Sequence, residues 1–200
     1  MNTSKYRGPG NVGGMSQIIP AFPVAYLFGA LYWYPVFGWL QHKRLGAASE
    51  ASAWQQIGPV ATVLAAILAL IGGLIAVAYS VTLAGVPGAA VAILGVSLGA
   101  RYPLFFRFQK GGSLAALAGA LLAVSPLWPV LTLLLGALTY LVTRSWFVAR
   151  IVAWVGLPLT GLALTQDLGL SIAALFSALI WLFPLEKPPH IETRVGPKTQ

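Results

Sequence analysis

The segment Arg101-Tyr102-Pro103-Leu104-Phe105-Phe106-Arg107-Phe108-Gln109-Lys110-Gly111-Gly112-Ser113 places three cations ahead of a glycine pair that leads into an apolar run. Backbone N–H groups at a helix start beside glycine, with cations close by, suit a phosphate or another anion. The candidate cradle is therefore Arg101, Arg107 and Lys110 with the amides of Gly111 and Gly112. The same composition describes a loop whose cations set membrane topology and meet anionic lipid heads, and the residues alone leave both readings open.

Other reactive groups are sparse. His42 stands beside Lys43 and Arg44, where an interfacial role competes with that of a general base. His190 lies among prolines and Glu192 in a polar tail, a solvated position, and Asp167 is the one acid between two late apolar segments. No carboxylate pair shares a helical face, no histidine cluster has metal spacing, and no Ser/His/Asp set assembles on one side of a membrane. Neither a metal nor a cofactor is expected. The absence of cysteine excludes disulfides, haem attachment and thiolate metal sites. Proton-relay or ion-coupled transport is disfavoured, because the apolar segments lack the ionisable residues it uses.

These groups need elements to position them, and composition says which. Of 200 residues 58% are hydrophobic and 8% charged, against roughly 25% charged in a soluble domain. A soluble globular fold is excluded. Residues 8–42, 51–100 and 111–143 carry no Lys, Arg, Asp or Glu, and about 20 apolar residues cross a bilayer as a helix. Hydropathy with Gly and Pro punctuation predicts segments near 19–41, 57–83, 86–100, 113–124, 127–143, 147–165 and 168–184. The first exceeds a signal-peptide core and ends in His42-Lys43-Arg44 instead of a cleavage site, so it is expected to stay as a helix. The fold expected is an all-α membrane bundle of about seven helices. Residues 1–17 form a Gly-rich tail, 18–184 a single transmembrane domain and 185–200 a polar tail.

Connections alternate in charge. Lys43 and Arg44, then Arg101, Arg107 and Lys110, then Arg144 and Arg150, then Lys187, Arg194 and Lys198 fall on one side, leaving Lys5 and Arg7 on the other. The positive-inside bias then puts the N-terminus outside and the C-terminus in the cytoplasm. The +8 net charge is explained by this topology, and nucleic acid is not an expected partner. Segment 113–124 is too short to span, since twelve helical residues rise about 18 Å, so it is expected to be a half-helix held inside protein. Gly95-x-x-x-Gly99 and Ala115-x-x-x-Gly119 predict close helix packing. Tyr32, Trp33, Tyr34, Phe37 and Trp39 read as an interfacial anchor and lipid-facing surface.

The stretch Gly99-Ala100-Arg101-Tyr102-Pro103-Leu104-Phe105-Phe106-Arg107-Phe108, followed by Lys110-Gly111-Gly112, resembles the second signature of the bacterial acyl-phosphate-dependent glycerol-3-phosphate acyltransferases, G-H-x-Y-P-x-F-F-x-F-K-G-G-K-G. The likeness runs on through Leu121-Leu122-Ala123-Val124-Ser125-Pro126, and Ala25-Tyr26-Leu27-Phe28-Gly29 is similar to the family's first helix. Over about residues 20–185 the order of segments is similar too. The resemblance implies seven membrane helices with the N-terminus outside, in the bacterial inner membrane. It implies acyl transfer from an acyl phosphate to glycerol 3-phosphate, giving lysophosphatidic acid for phospholipid synthesis. Gly99, Tyr102, Pro103, Phe105 and Phe106 would then shape the turn.

The sequence also departs from the family pattern. Ala100 stands where the signature has histidine, and Ser113 or Gly112 where it has its second lysine. Arg144-Ser145-Trp146-Phe147-Val148-Ala149-Arg150 replaces a serine-containing loop with bulky residues. Leu45-Gly46-Ala47-Ala48-Ser49-Glu50-Ala51-Ser52 does not match the first motif, S-G-N-x-G-A-T-N. The look-alike Gly8-Pro9-Gly10-Asn11-Val12-Gly13-Gly14 precedes the first helix and reads as flexible tail. Two functions stay open: an acyltransferase using glycerol 3-phosphate and acyl phosphate among membrane lipids, and a catalytically silent relative serving as a structural subunit of a larger membrane assembly.

Overall fold

In lipid a backbone can satisfy its polar groups only within itself, so long uncharged runs of Ala, Leu and Val become helices. The computed structural model describes residues 15–31, 33–41, 50–104 and 113–182. Among these, the elements are α1 (Met15–Ala30), α2 (Trp33–Leu40), α3 (Glu50–Ile57), α4 (Pro59–Arg101), α5 (Leu114–Val124), α6 (Leu127–Thr143), α7 (Trp146–Thr165) and α8 (Leu168–Leu182).

Helix α4 is a hairpin. Ala84 (φ −136°, ψ 16°) and Gly85 (φ 62°, ψ −143°) leave helical geometry, and the second is a conformation open essentially to glycine alone. Pro87 follows in the first turn of the new arm, where its missing N–H costs nothing. A continuous helix would separate Ser80 from Gly88 by about 12 Å. Instead a Cβ on Gly88 would strike the Ser80 carbonyl, so arm 86–101 folds back on arm 59–83.

The segment expected over 19–41 is divided. Pro35 removes an N–H and its ring would clash with the carbonyl of residue 31, so α1 ends at Ala30 and α2 begins at Trp33. Tyr34 faces inward at 1% exposure against Ile57, Ala61 and Ala65, whereas Trp39 is 76% exposed. The connection expected over 42–56 contains α3, whose Ile57 closes that small core. Of the tail expected over 1–17, residues 15–17 belong to α1, while residues 1–14 and 185–200, with Tyr32, His42 and His190, lie outside the described residues.

Packing is governed by small residues. A Cβ on Gly95 would lie 2.9 Å from the Phe22 carbonyl oxygen, and one on Gly99 would collide with the Tyr26 carbonyl, so α1 runs parallel to the second arm of α4 at backbone contact. Gly73 meets Ala116, and Gly119 meets Leu70, in the same way. The expected half-helix is thus the eleven-residue α5, clamped on the first arm with Ala116, Leu117, Gly119, Ala120 and Leu121 buried. Helix α6 runs antiparallel to α7: Trp128 sits on Gly161, Gly136 faces Ala153 and Tyr140 meets Trp146. Large apolar side chains point outward, among them Leu133 at 71%, Val142 at 83% and Phe147 at 72% exposure. A core of Ala and Gly under a coat of Leu, Val and Phe is the distribution that lipid as solvent demands.

Candidate functional site

The helix directions bring Arg101, the start of α7 and the end of α8 to one end of the bundle, and the Ala84–Gly85 reversal, Ser125-Pro126 and Asp167 to the other. The signature residues lie at the first end. Arg101 closes α4, Tyr102 accepts there through its carbonyl from the Tyr26 hydroxyl at 2.5 Å, and Pro103 is fully buried. The bond from Tyr26 ties α1 to the turn, and Gly99 lets the two helices approach closely enough to make it.

Arg101 is 7% exposed, and its Nε has no hydrogen-bond partner among the described residues. A buried guanidinium in this condition is costly unless something compensates the charge. Two features do so in part. The C-terminal end of a helix favours a cation, and the Arg101 Cζ lies 5.2 Å from the ring centroid of Trp181, within cation–π range. Asp167 is no counter-ion. It lies at the far end of α8, where its Oδ1 accepts from the Leu170 N–H at 3.0 Å as a helix cap.

Trp181 is itself held from several directions. Its Nε1–H donates to Ser97 Oγ at 3.2 Å, its ring stacks on Trp154 at 6.0 Å and 8°, and its carbonyl accepts from Arg150 Nη2 at 3.0 Å. Two cations, Arg101 and Arg150, therefore converge on one tryptophan.

Ser113 immediately precedes α5 with backbone φ −96° and ψ 94°, and its 3% exposed hydroxyl makes no cap bond and has no partner among the described residues. Gly111 and Gly112 precede that helix start in sequence and lie outside the described residues with Phe105, Phe106, Arg107 and Lys110. Of the candidate cradle only Arg101 is placed, and of the turn-shaping residues only Gly99, Tyr102 and Pro103. Ala100 is 1% exposed and packs in the main core, offering no group for proton transfer. Ser145 caps α7 by accepting from the Val148 N–H at 3.4 Å. An open cleft of about 340 Å³ lies between Phe37, Ile57, Val60 and Leu64, and its one amide side chain, Gln41, donates to the Ile57 carbonyl at 3.1 Å. Among the described residues its walls are apolar and hold no cation for a phosphate.

Trp181, Trp154 and Ser97 were not signalled by any motif. The available sign was spacing: Ser97 and Arg101, like Ser177 and Trp181, are one helical turn apart.

Residues 19–187 match the family described as glycerol-3-phosphate acyltransferase. The glycerol-3-phosphate acyltransferase of Burkholderia pseudomallei is 34% identical over 185 residues, covering 82% of this chain and 87% of that one. The enzyme of that name from Paraburkholderia phymatum is 38% identical over 94 residues, covering 46% of this chain and 45% of its own length, so this match spans under half of that relative. Among solved structures, PlsY (YgiH), an integral membrane glycerol 3-phosphate acyltransferase in its lysophosphatidic acid form, superposes with a TM-score of 0.68 at 22% identity, over 82% of this chain and 85% of that chain. Its glycerol 3-phosphate form gives 0.67 at 22% identity over 83% and 84%. The expected all-α membrane bundle is thereby shown, and the chain belongs to the glycerol-3-phosphate acyltransferase family of integral membrane proteins.

Proposed function

We propose that this chain transfers an acyl group from an acyl phosphate to glycerol 3-phosphate, giving lysophosphatidic acid for phospholipid synthesis in a bacterial inner membrane. The observation that carries the reading is Arg101, a buried cation whose Nε has no partner among the described residues and which ends the arm that leads into the family's own signature turn. Family membership supplies the reaction, and the forms in which PlsY was solved hold glycerol 3-phosphate and lysophosphatidic acid.

The substrate is already activated, so the protein's task is to hold phosphate and orient a hydroxyl. The hydroxyl oxygen bonds to the acyl carbon, the acyl–oxygen bond to phosphate breaks, and phosphate leaves with the electron pair. The hydroxyl proton passes to that phosphate, which suits a chain whose signature position 100 is alanine. In this reading Arg101, Arg107 and Lys110 with the Gly111 and Gly112 amides cradle the anion. The end of the bundle that holds Arg101 and Arg150 faces the cytoplasm, with the N-terminus outside. Residues 18–184 act as one domain between two polar tails.

A second reading is favoured by one observation. Ala100 is an ordinary core residue where the signature has histidine, as expected of a relative that keeps the bundle and serves as an accessory subunit of a membrane complex. The test is purification in mild detergent followed by acyl-phosphate-dependent acylation of labelled glycerol 3-phosphate. Activity that falls at least about tenfold in Arg101→Gln establishes the first reading, taking a charge-assisted hydrogen bond at about 1.5–3 kcal/mol. No acylation together with a stoichiometric protein partner establishes the second.

A further inference from the structure

Among the described residues Arg101 is held without being neutralised. A carboxylate partner would fix the guanidinium equally well, but it would occupy N–H donors and cancel the charge. An aromatic face attracts the cation and accepts none of its five N–H donors. The Trp181 platform is in turn fixed by the Ser97 hydroxyl, the Trp154 ring and the Arg150 guanidinium. These contacts come from α4 and α7 onto Trp181 of α8, so the residue is placed independently of any ligand.

We propose that Trp181 is a positioning residue that holds the Arg101 guanidinium by its ring and so leaves the buried Nε, unpartnered among the described residues, to bond a phosphate oxygen of glycerol 3-phosphate. The proposal rests on the reading of Arg101 as an anion-binding group. It also accounts for a tryptophan near the end of the last described helix making its long-range contacts to the signature arm, 84 residues away in sequence.

The test is a titration of glycerol 3-phosphate into the full chain in lipid nanodiscs, read by calorimetry and tryptophan emission. Trp181→Leu is expected to weaken binding about tenfold, the upper part of the cation–π range. Trp181→Phe, which keeps a ring, is expected to recover several-fold over Trp181→Leu. In a double variant with Arg101→Gln, Trp181→Leu should add nothing further, because its effect runs through Arg101. Ser97→Ala, which removes only the indole's hydrogen bond, is expected to weaken binding about threefold, the loss of one modest hydrogen bond. It stands in for Trp181→Leu if that variant fails to fold.

Parent-level binding in Trp181→Leu, or additive losses in the double variant, would overturn the positioning role while leaving the anion site standing. Should Trp181→Leu not fold, unchanged binding in Ser97→Ala would overturn it in the same way. No binding by the parent chain would remove the anion-site reading and the role of Trp181 with it.

Discussion

Trp128 and Asp167 each make a side-chain-to-backbone hydrogen bond that holds the bundle in place. The Trp128 indole N–H donates to the Leu157 carbonyl at 2.9 Å while its ring covers Gly161, and Asp167 receives an N–H at the start of α8. Trp128→Phe is expected to cost about 1–2 kcal/mol from the lost bond and the smaller ring. Asp167→Ala should cost about 1 kcal/mol as a lost cap. Both are read as a lowered thermal unfolding midpoint in detergent, with glycerol 3-phosphate binding at the opposite end unchanged in Asp167→Ala. At this scale the sequence told part of the story. Arg101 stood out because it ends an uncharged run, and charge in an apolar context is conspicuous. Trp181 and Trp128 did not, because a tryptophan in an apolar segment carries no mark of the face it occupies, and their partners are 84 and 29 residues away.

Helices were easier to find than their interruptions. Hydropathy located the apolar segments because most are long and nearly free of charge, and glycine spacing foretold the contact of Gly95 and Gly99 with α1. The break at Leu31 follows from Pro35 but was outweighed by the apolar run around it. Helix α3 was missed because Glu50–Ile57 is short and polar, and it is held by Ile57 entering a core that only the fold assembles. The neighbouring glycines 72 and 73 offer a test at this scale. A Cβ on Gly72 would rest 3.6 Å from the Phe28 carbonyl oxygen, an ordinary contact, whereas one on Gly73 would collide with the Ala116 backbone. Gly72→Ala should leave stability unchanged or raise it by up to about 1 kcal/mol through helix propensity. Gly73→Ala should lower it by about 1–3 kcal/mol through overpacking, and the two midpoints measured side by side decide it.

Across the whole molecule, the described arginines gather at one end. Among the described residues Arg101, Arg144 and Arg150 lie toward one end and Asp167 at the other. With the basic end proposed to face the cytoplasm, a cysteine placed at Ser145 should react with an impermeant maleimide only after the cell is opened. One placed at Gln166 should react in intact cells, with the outer membrane permeabilised. The chain has no cysteine of its own, so each introduced thiol is read without background. The reverse pattern would invert the topology and move the Arg101 site to the outer face.

The Ala84–Gly85 reversal bears on how the chain is made. Its two arms are joined by two small uncharged residues, so insertion into the bilayer drags no hydrophilic loop across the hydrocarbon. The pair can leave the translocation machinery as one apolar unit, with its arms already in register through Gly88 and Ser80. That unit is the surface against which α1, α5 and α8 pack, so the platform of the whole bundle turns on a single glycine.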